Sequence, residues 1–196
     1  MHFLKKSGTV LENAKLYSKY LDNWKISWES EGQYRHWCLQ QYICHTSIIL
    51  VVMFNPGSLS RDGRDLKKDT TLRILREVFE ESQFSPLIVN LYDYSTSSPA
   101  VFFSHWNKRD STTSIYSRLD YSKIKGVLSA YGDYQFKSIK GLDIEERIGF
   151  VKKHLENIPE VVSPKNKTQS PKHPLSWQRE KLKLKVRESI CNFLRE

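Results

Sequence analysis

The chain has little cysteine. Cys38, Cys44 and Cys191 form an odd set with no CxxC spacing among 196 residues. That argues against a disulfide framework, a zinc ribbon or a four-thiolate cluster, and leaves buried, unpaired thiols as the simpler expectation. The six histidines stand singly, with no HxxxH or HxH pair, so no metal site and no cofactor are expected. P-loop, GxSxG and HExxH patterns are also missing, which lowers the reaction classes they serve. The longest strongly apolar run, residues 48–54, falls well short of the roughly 20 residues a membrane span needs. Residues 1–6 lack the apolar region and small-residue cleavage site of a secretory signal, so the cytoplasm is the expected compartment.

What is present suits one soluble globular domain over residues 1–196, with 39% hydrophobic and 27% charged residues. Aromatics reach 12%, a supply for stacking as well as packing. The formal charge is +9, and its placement matters more than its size. Between Ser163 and Arg187 stand eight Lys or Arg against one acid, Glu180, a net of +7. Such a stretch fits a polyanion, double- or single-stranded DNA first, because neutralising phosphates releases counterions. The plainer explanation is a solubilising helix face beside a loop.

Periodicity gives the organisation. Residues 9–28 carry Leu11, Leu16, Tyr17, Tyr20, Leu21 and Trp24 at near-helical spacing, so a helical extension is expected over 1–33. Residues 34–43 read as an edge strand or hairpin arm. The run SIILVVMF at 47–54 reads as a buried central strand ending in the turn Asn55-Pro56-Gly57. A polar loop over 58–68 leads to Asp69, positioned to cap a helix reaching about Ser82, with Leu72, Leu75, Val78 and Phe79 as its apolar stripe. PLIVNLY at 86–92 is a second strand, residues 116–125 look helical, and GVLSAY at 126–131 is a third strand closed by Gly132. An amphipathic helix is expected at 143–157, a fourth strand starting at Val161-Val162, and a C-terminal helix over 178–196 after a core spanning 34–177. Alternating Leu182, Leu184 and Val186 leave a strand open at the start of that last segment. Alternating strands and helices point to an α/β fold: a three-layer α/β/α sandwich around a central, mostly parallel sheet. Ligands of such sheets bind beyond the carboxyl ends of the strands, where Asn55, Asn90 and Gly132 fall.

Five landmarks occur in order: MFNPG (53–57), DTT (69–71), VNLYDY (89–94), SAYGDY (129–134) and SPKHPLSW (170–177). The set closely resembles the bacterial family catalogued as domain of unknown function 1643, from about Tyr34 to Trp177. More distantly, the order is similar to the uracil-DNA glycosylase superfamily, in which an NPG-type or DPY-type turn follows the first core strand. Matching segments here are Asn55-Pro56-Gly57, the strand-end Asn90, the turn Tyr131-Gly132-Asp133-Tyr134 and the loop His173-Pro174-Leu175-Ser176. The resemblance implies a uracil-DNA-glycosylase-like fold and a monofunctional, metal-independent DNA glycosylase that leaves an abasic site.

On that resemblance, His173 donates to the departing base and Asn55 holds the attacking water through its side-chain carbonyl. Asn90 reads the polar edge of a flipped pyrimidine. Phe54, Pro56 and Gly57 border the base, Phe54 either stacking on it or packing in the core. Asp69 is either a helix cap or an additional catalytic group, a carboxylate that polarises water or steadies the cationic sugar. Lys172, Ser176, Trp177, Arg179 and Lys181 are the expected DNA-backbone contacts, with Trp177 the tryptophan most suited to stacking. Gly57 stands where the uracil-specific branch has a tyrosine blocking pyrimidine C5. A 5-modified base, such as hypermodified cytosine of phage DNA, is therefore the expected substrate, with antiviral defence or repair as its setting. HPL in place of HPS moves the hydroxyl to Ser176. Two competing classes remain: a DNA- or RNA-binding module without chemistry, and a hydrolase of free nucleosides or nucleotides.

Overall fold

The computed structural model describes residues 3–5, 13–57, 63–105, 112–134 and 144–193. The expectations for residues 9–12, 58–62 and 194–196 lie outside these. In chain order the elements are β1 (Lys15–Leu21), β2 (Trp24–Glu31), β3 (Tyr34–Tyr42), β4 (Ser47–Met53), α1 (Thr70–Phe79), β5 (Phe84–Asn90), α2 (Pro99–His105), α3 (Thr112–Arg118), β6 (Ile124–Ser129), α4 (Ile144–Leu155) and α5 (Glu180–Asn192).

The strands form one sheet in the order β1-β2-β3-β5-β4-β6. Pairings β1/β2, β2/β3 and β3/β5 are antiparallel, and only β5/β4 and β4/β6 are parallel. The sheet is thus mixed and mostly antiparallel, which overturns the expected three-layer sandwich on a mostly parallel sheet, and with it the uracil-DNA-glycosylase-like fold. The expected N-terminal helix over 9–28 is the main source of that error. Its described part is the β1–β2 hairpin, turning at Asp22, whose φ is 52°. Leu16 and Tyr20, spaced as on one helix face, are 70% and 72% exposed, while Trp24, Ile26 and Trp28 alternate into the core at the period of two that belongs to a strand. Of the two expectations for residues 34–43, the hairpin arm holds, since β3 folds back antiparallel on β2, and the edge strand does not, since β3 lies between β2 and β5. No strand starts at Val161-Val162: Val161 meets β6 through one backbone bond to Val127 and is followed by irregular chain.

β4 and β5 match their apolar runs. Along β4, Ile48, Leu50 and Val52 enter one core and Ile49, Val51 and Met53 the other, so the sheet is apolar on both faces. The first core takes Ile115 and Tyr116 from α3, Leu119 from the chain just after it, and Ile144, Ile148, Val151 and Leu155 from α4. The second takes the α1 stripe with Val186 and Ile190 of α5. α5 is helical from its start, closing the strand alternative. Its Lys183 pairs with Glu77 and its Arg187 with Glu81, both at 2.8 Å, tying it to α1 and the chain just after. No helix among the described residues is long and apolar enough to cross a membrane.

Candidate functional site

β4 and β5 run in register, with Met53 opposite Asn90, and stay joined past their ends. Leu91 donates its amide to Met53 and Tyr92 to Phe54, at 2.7 and 3.0 Å. Asn55 and Asn90 are therefore delivered to one edge. Beyond that edge lies a cavity of about 590 Å³, lined by Asn55, Gly57, Asp69, Asn90, Tyr134 and His173 with Arg35, Met53 and Leu72, among others. Ligand pockets of small molecules commonly run from about 300 to 1,000 Å³. Residues far apart in the sequence converge there.

Asn55 is fixed by its neighbours. Its Nδ2 donates to the carbonyls of Thr96 (2.9 Å), Pro56 (3.1 Å) and Tyr94 (3.4 Å). The Ser95 hydroxyl donates to the Gly57 carbonyl and the Thr96 amide to Pro56, zipping the two turns together. With Nδ2 committed, the carbonyl oxygen is the half of the carboxamide left for a ligand. Asn90 is 2% exposed, and its Oδ1 has no hydrogen-bond partner among the described residues.

Asp69 divides its oxygens. Oδ1 accepts from the Leu72 amide at 2.9 Å, the N-cap of α1. Oδ2 lies on the side of Gly57, 3.6 Å from where a Cβ there would stand. The cap is real, and one oxygen still looks toward the cavity.

His173 arrives on a loop built for close approach. Asp133 Oδ1 accepts from Thr168 Oγ1 (2.7 Å) and Ser170 Oγ (2.8 Å), clamping the loop to the turn after β6. Gly132 adopts φ 82°, and a Cβ there would stand 3.4 Å from that of His173. His173 Nδ1 accepts from the Leu175 amide at 3.2 Å, capping the 3-10 turn of residues 174–178. An accepting Nδ1 carries no proton, so the neutral ring holds its proton on Nε2. Burial pulls the imidazole pKa down to about 4, only partly opposed by the negative charge of Asp69. The ring is a neutral donor at physiological pH.

Several expected contacts fall elsewhere. Trp177 is wholly buried in the second core, so it offers no face to DNA. Phe54 is also buried, stacked under Tyr134 with centroids 4.3 Å apart, and Tyr134 is the ring that lines the cavity. Pro56 is buried beneath the turn. Ser176 turns its hydroxyl back to the His173 carbonyl at 2.7 Å. Lys172 reaches Asn166 at 3.3 Å, while Arg179 and Lys181 are exposed close to the His173 loop. Of the three cysteines only Cys38 is buried; Cys44 is exposed and Cys191 intermediate. Sequence reasoning assigned no role to Arg35, Tyr134 or Asp133. The SAYGDY motif contained the last two, whereas nothing in the sequence pointed to Arg35.

A family model described as protein of unknown function, DUF1643, matches residues 34–175, which covers the strand-end turns and the His173 loop. The chain belongs to DUF1643. No curated protein and no solved structure gives a significant match. Membership of DUF1643 assigns no activity to the cavity.

Proposed function

We propose that the protein is a DNA glycosylase that hydrolyses the N-glycosidic bond of a flipped, 5-substituted pyrimidine. One observation carries the reading: Asn55, Gly57, Asp69, Asn90 and His173 line a single nucleotide-sized cavity. Motif order adds the similarity to the uracil-DNA glycosylase superfamily, a likeness of strand-end turns and not of the whole sheet.

Breaking the bond between C1′ and N1 leaves the electron pair on the base and positive charge on the sugar. A neutral imidazole donating from Nε2 suits the base oxygen on which that negative charge gathers. It holds the leaving anion by a hydrogen bond and keeps its own proton. Water, positioned by the Asn55 carbonyl oxygen, attacks C1′; the proton it loses as the new C–O bond forms passes through solvent to the departed base anion, so that the products are a neutral base and an abasic sugar. A strong base is unnecessary because the sugar is already cationic. The Asp69 carboxylate adds negative charge on the same side. Asn90 reads the base edge, and Tyr134, backed by Phe54, offers a ring face. Gly57 leaves volume where a larger residue would meet a 5-substituent.

The test is a defined duplex carrying one cytosine, uracil, 5-hydroxymethylcytosine or glucosylated cytosine, followed by alkali. Strand breaks at a 5-substituted base, lost in Asn55→Ala, are expected. Breaks at uracil alone would refute the substrate class.

A second reading, a hydrolase of free nucleotides, is favoured by one observation. Lys183 and Arg187 are engaged with acids of the α1 region, so part of the basic stretch serves the fold. Replacing Lys172, Arg179 and Lys181 together with Gln separates the two. The DNA enzyme then fails on duplex, while a nucleotide hydrolase keeps its rate.

A further inference from the structure

Arg35 lines the cavity because of a fault in the ladder between β2 and β3. Glu29 faces Trp37, but the next residue, Ser30, faces Arg35, so His36 is the extra residue of a β-bulge. Trp37 belongs to the first core and Cys38 to the second. Regular alternation would send Arg35 to the side of Trp37. The bulge returns it to the side of Cys38, beside Met53, Ile88 and Asn90. Bulges are a recurrent means of re-aiming one side chain next to a site.

Arg35 is 4% exposed, and its Nε and Nη1 have no hydrogen-bond partner among the described residues. On the neighbouring strand, Asn90 Oδ1 is likewise buried and unpartnered. Leaving such groups unsatisfied costs stability, most of all for a charged one, and a ligand that satisfies them recovers it. The strand order β3-β5-β4-β6 sets Arg35 at one end, Asn90 and Asn55 in the middle, and the Gly132 turn with His173 at the other. Asp65, Lys68 and Asp69 enter from the chain leading into α1.

We infer that Arg35 and Asn90 form an oxyanion-reading end of this cavity. The Arg35 guanidinium donates to an oxygen of a carboxylate or phosphate on the bound nucleotide, and Asn90 Oδ1 accepts an N–H from the adjoining base edge. The inference rests on the cavity's being a nucleotide pocket, but not on any bond being broken in it.

Titration calorimetry with three probes tests it: deoxycytidine, its 5′-monophosphate, and 5-carboxydeoxycytidine. The wild type binds at least one oxyanion probe about tenfold or more tightly than deoxycytidine, the size expected of a charge-assisted pair. Arg35→Gln removes that increment and leaves deoxycytidine within about twofold, a change confined to one contact. Arg35→Lys retains part of it. The probe that carries the increment names its source, base substituent or backbone phosphate. Equal affinities in the wild type, no binding of either oxyanion probe, or an increment that survives Arg35→Gln overturns the inference. Should Arg35→Gln not fold, the wild-type contrast and Arg35→Lys decide. A protein that discriminates oxyanions yet releases no base sinks the glycosylase reading alone, and the converse result sinks this one alone.

Discussion

The Leu175 amide donates to Nδ1 of His173 at 3.2 Å, and this contact decides which way the imidazole presents its proton. Capping a short turn consumes the lone pair on one nitrogen and leaves Nε2–H as the donor. Burial then keeps the ring neutral far below the usual histidine range. A structural cap and a chemical group are the same side chain.

The first prediction follows from that neutrality. The folded pKa is about 4 against an ordinary value of 6.5, so the ring stays unprotonated where a solvent-exposed histidine would charge. The acid limb of kcat/KM due to His173 is expected near pH 4, not near 6.5. For stability the sign is the one for a depressed pKa. Between 4 and 6.5 the unfolded chain binds the extra proton, so the contribution is complete above 6.5 and declines as pH falls through that window. His173→Gln should flatten this part of the pH–stability curve and slow base release by about 10²–10³, as loss of a preorganised donor does.

Asp69 separates capping from chemistry. Asp69→Ala should cost about 1 kcal/mol in urea unfolding, whereas Asp69→Asn keeps an accepting oxygen and stays near the wild type. Base release should fall in both, because each removes the charge facing Gly57. An Asp69→Asn protein with full activity would reduce the residue to a cap.

This much was legible in the sequence, for identifiable reasons. Asn55, Asp69 and Asn90 announce themselves because turn chemistry, capping and strand ends are local properties, and a parallel β4–β5 pair brings them together. His173 was legible through its motif. The N-terminal hairpin was not, since Leu16, Tyr20 and Trp24 fall at intervals shared by a helix face and by two strands folded at Asp22. Misreading it concealed three antiparallel pairings. Arg35 was hidden for another reason: a bulge reverses alternation, and a sequence periodicity carries no mark of where the ladder slips. Trp177 misled because basic neighbours suggested a surface, while the ring itself anchors the turn in the second core.

Gly57 governs the room beside the base. Its φ is not in the left-handed region, and a Cβ would make only an ordinary 3.6 Å contact with Asp69. Gly57→Ala should therefore fold and act as the wild type. Gly57→Tyr should lower activity on a 5-substituted pyrimidine by about 100-fold or more relative to uracil, a steric discrimination read from the ratio of the two kcat/KM values. An unchanged ratio would remove Gly57 from specificity.

The thiols offer a check on the fold. Burial pushes the Cys38 thiol up to about 11, with the Arg35 charge only partly offsetting it, whereas Cys44 is exposed. Native protein treated with iodoacetamide at pH 8 should be alkylated at Cys44 and spared at Cys38 until denaturant is added, as peptide mass mapping would read. Rapid native labelling of Cys38 would contradict its place in the second core.

The central claim is that Asn55 and His173 act from two sides on one extruded nucleotide. Its most direct measurement is mass detection of free bases released from DNA with unmodified or hypermodified cytosine, using wild type, Asn55→Ala and His173→Gln. The account predicts release of a modified pyrimidine with an equal yield of abasic sites, lost in Asn55→Ala and slowed about 10²–10³-fold in His173→Gln. Release that continues undiminished in both variants, or no release of any pyrimidine by the wild type, would contradict it.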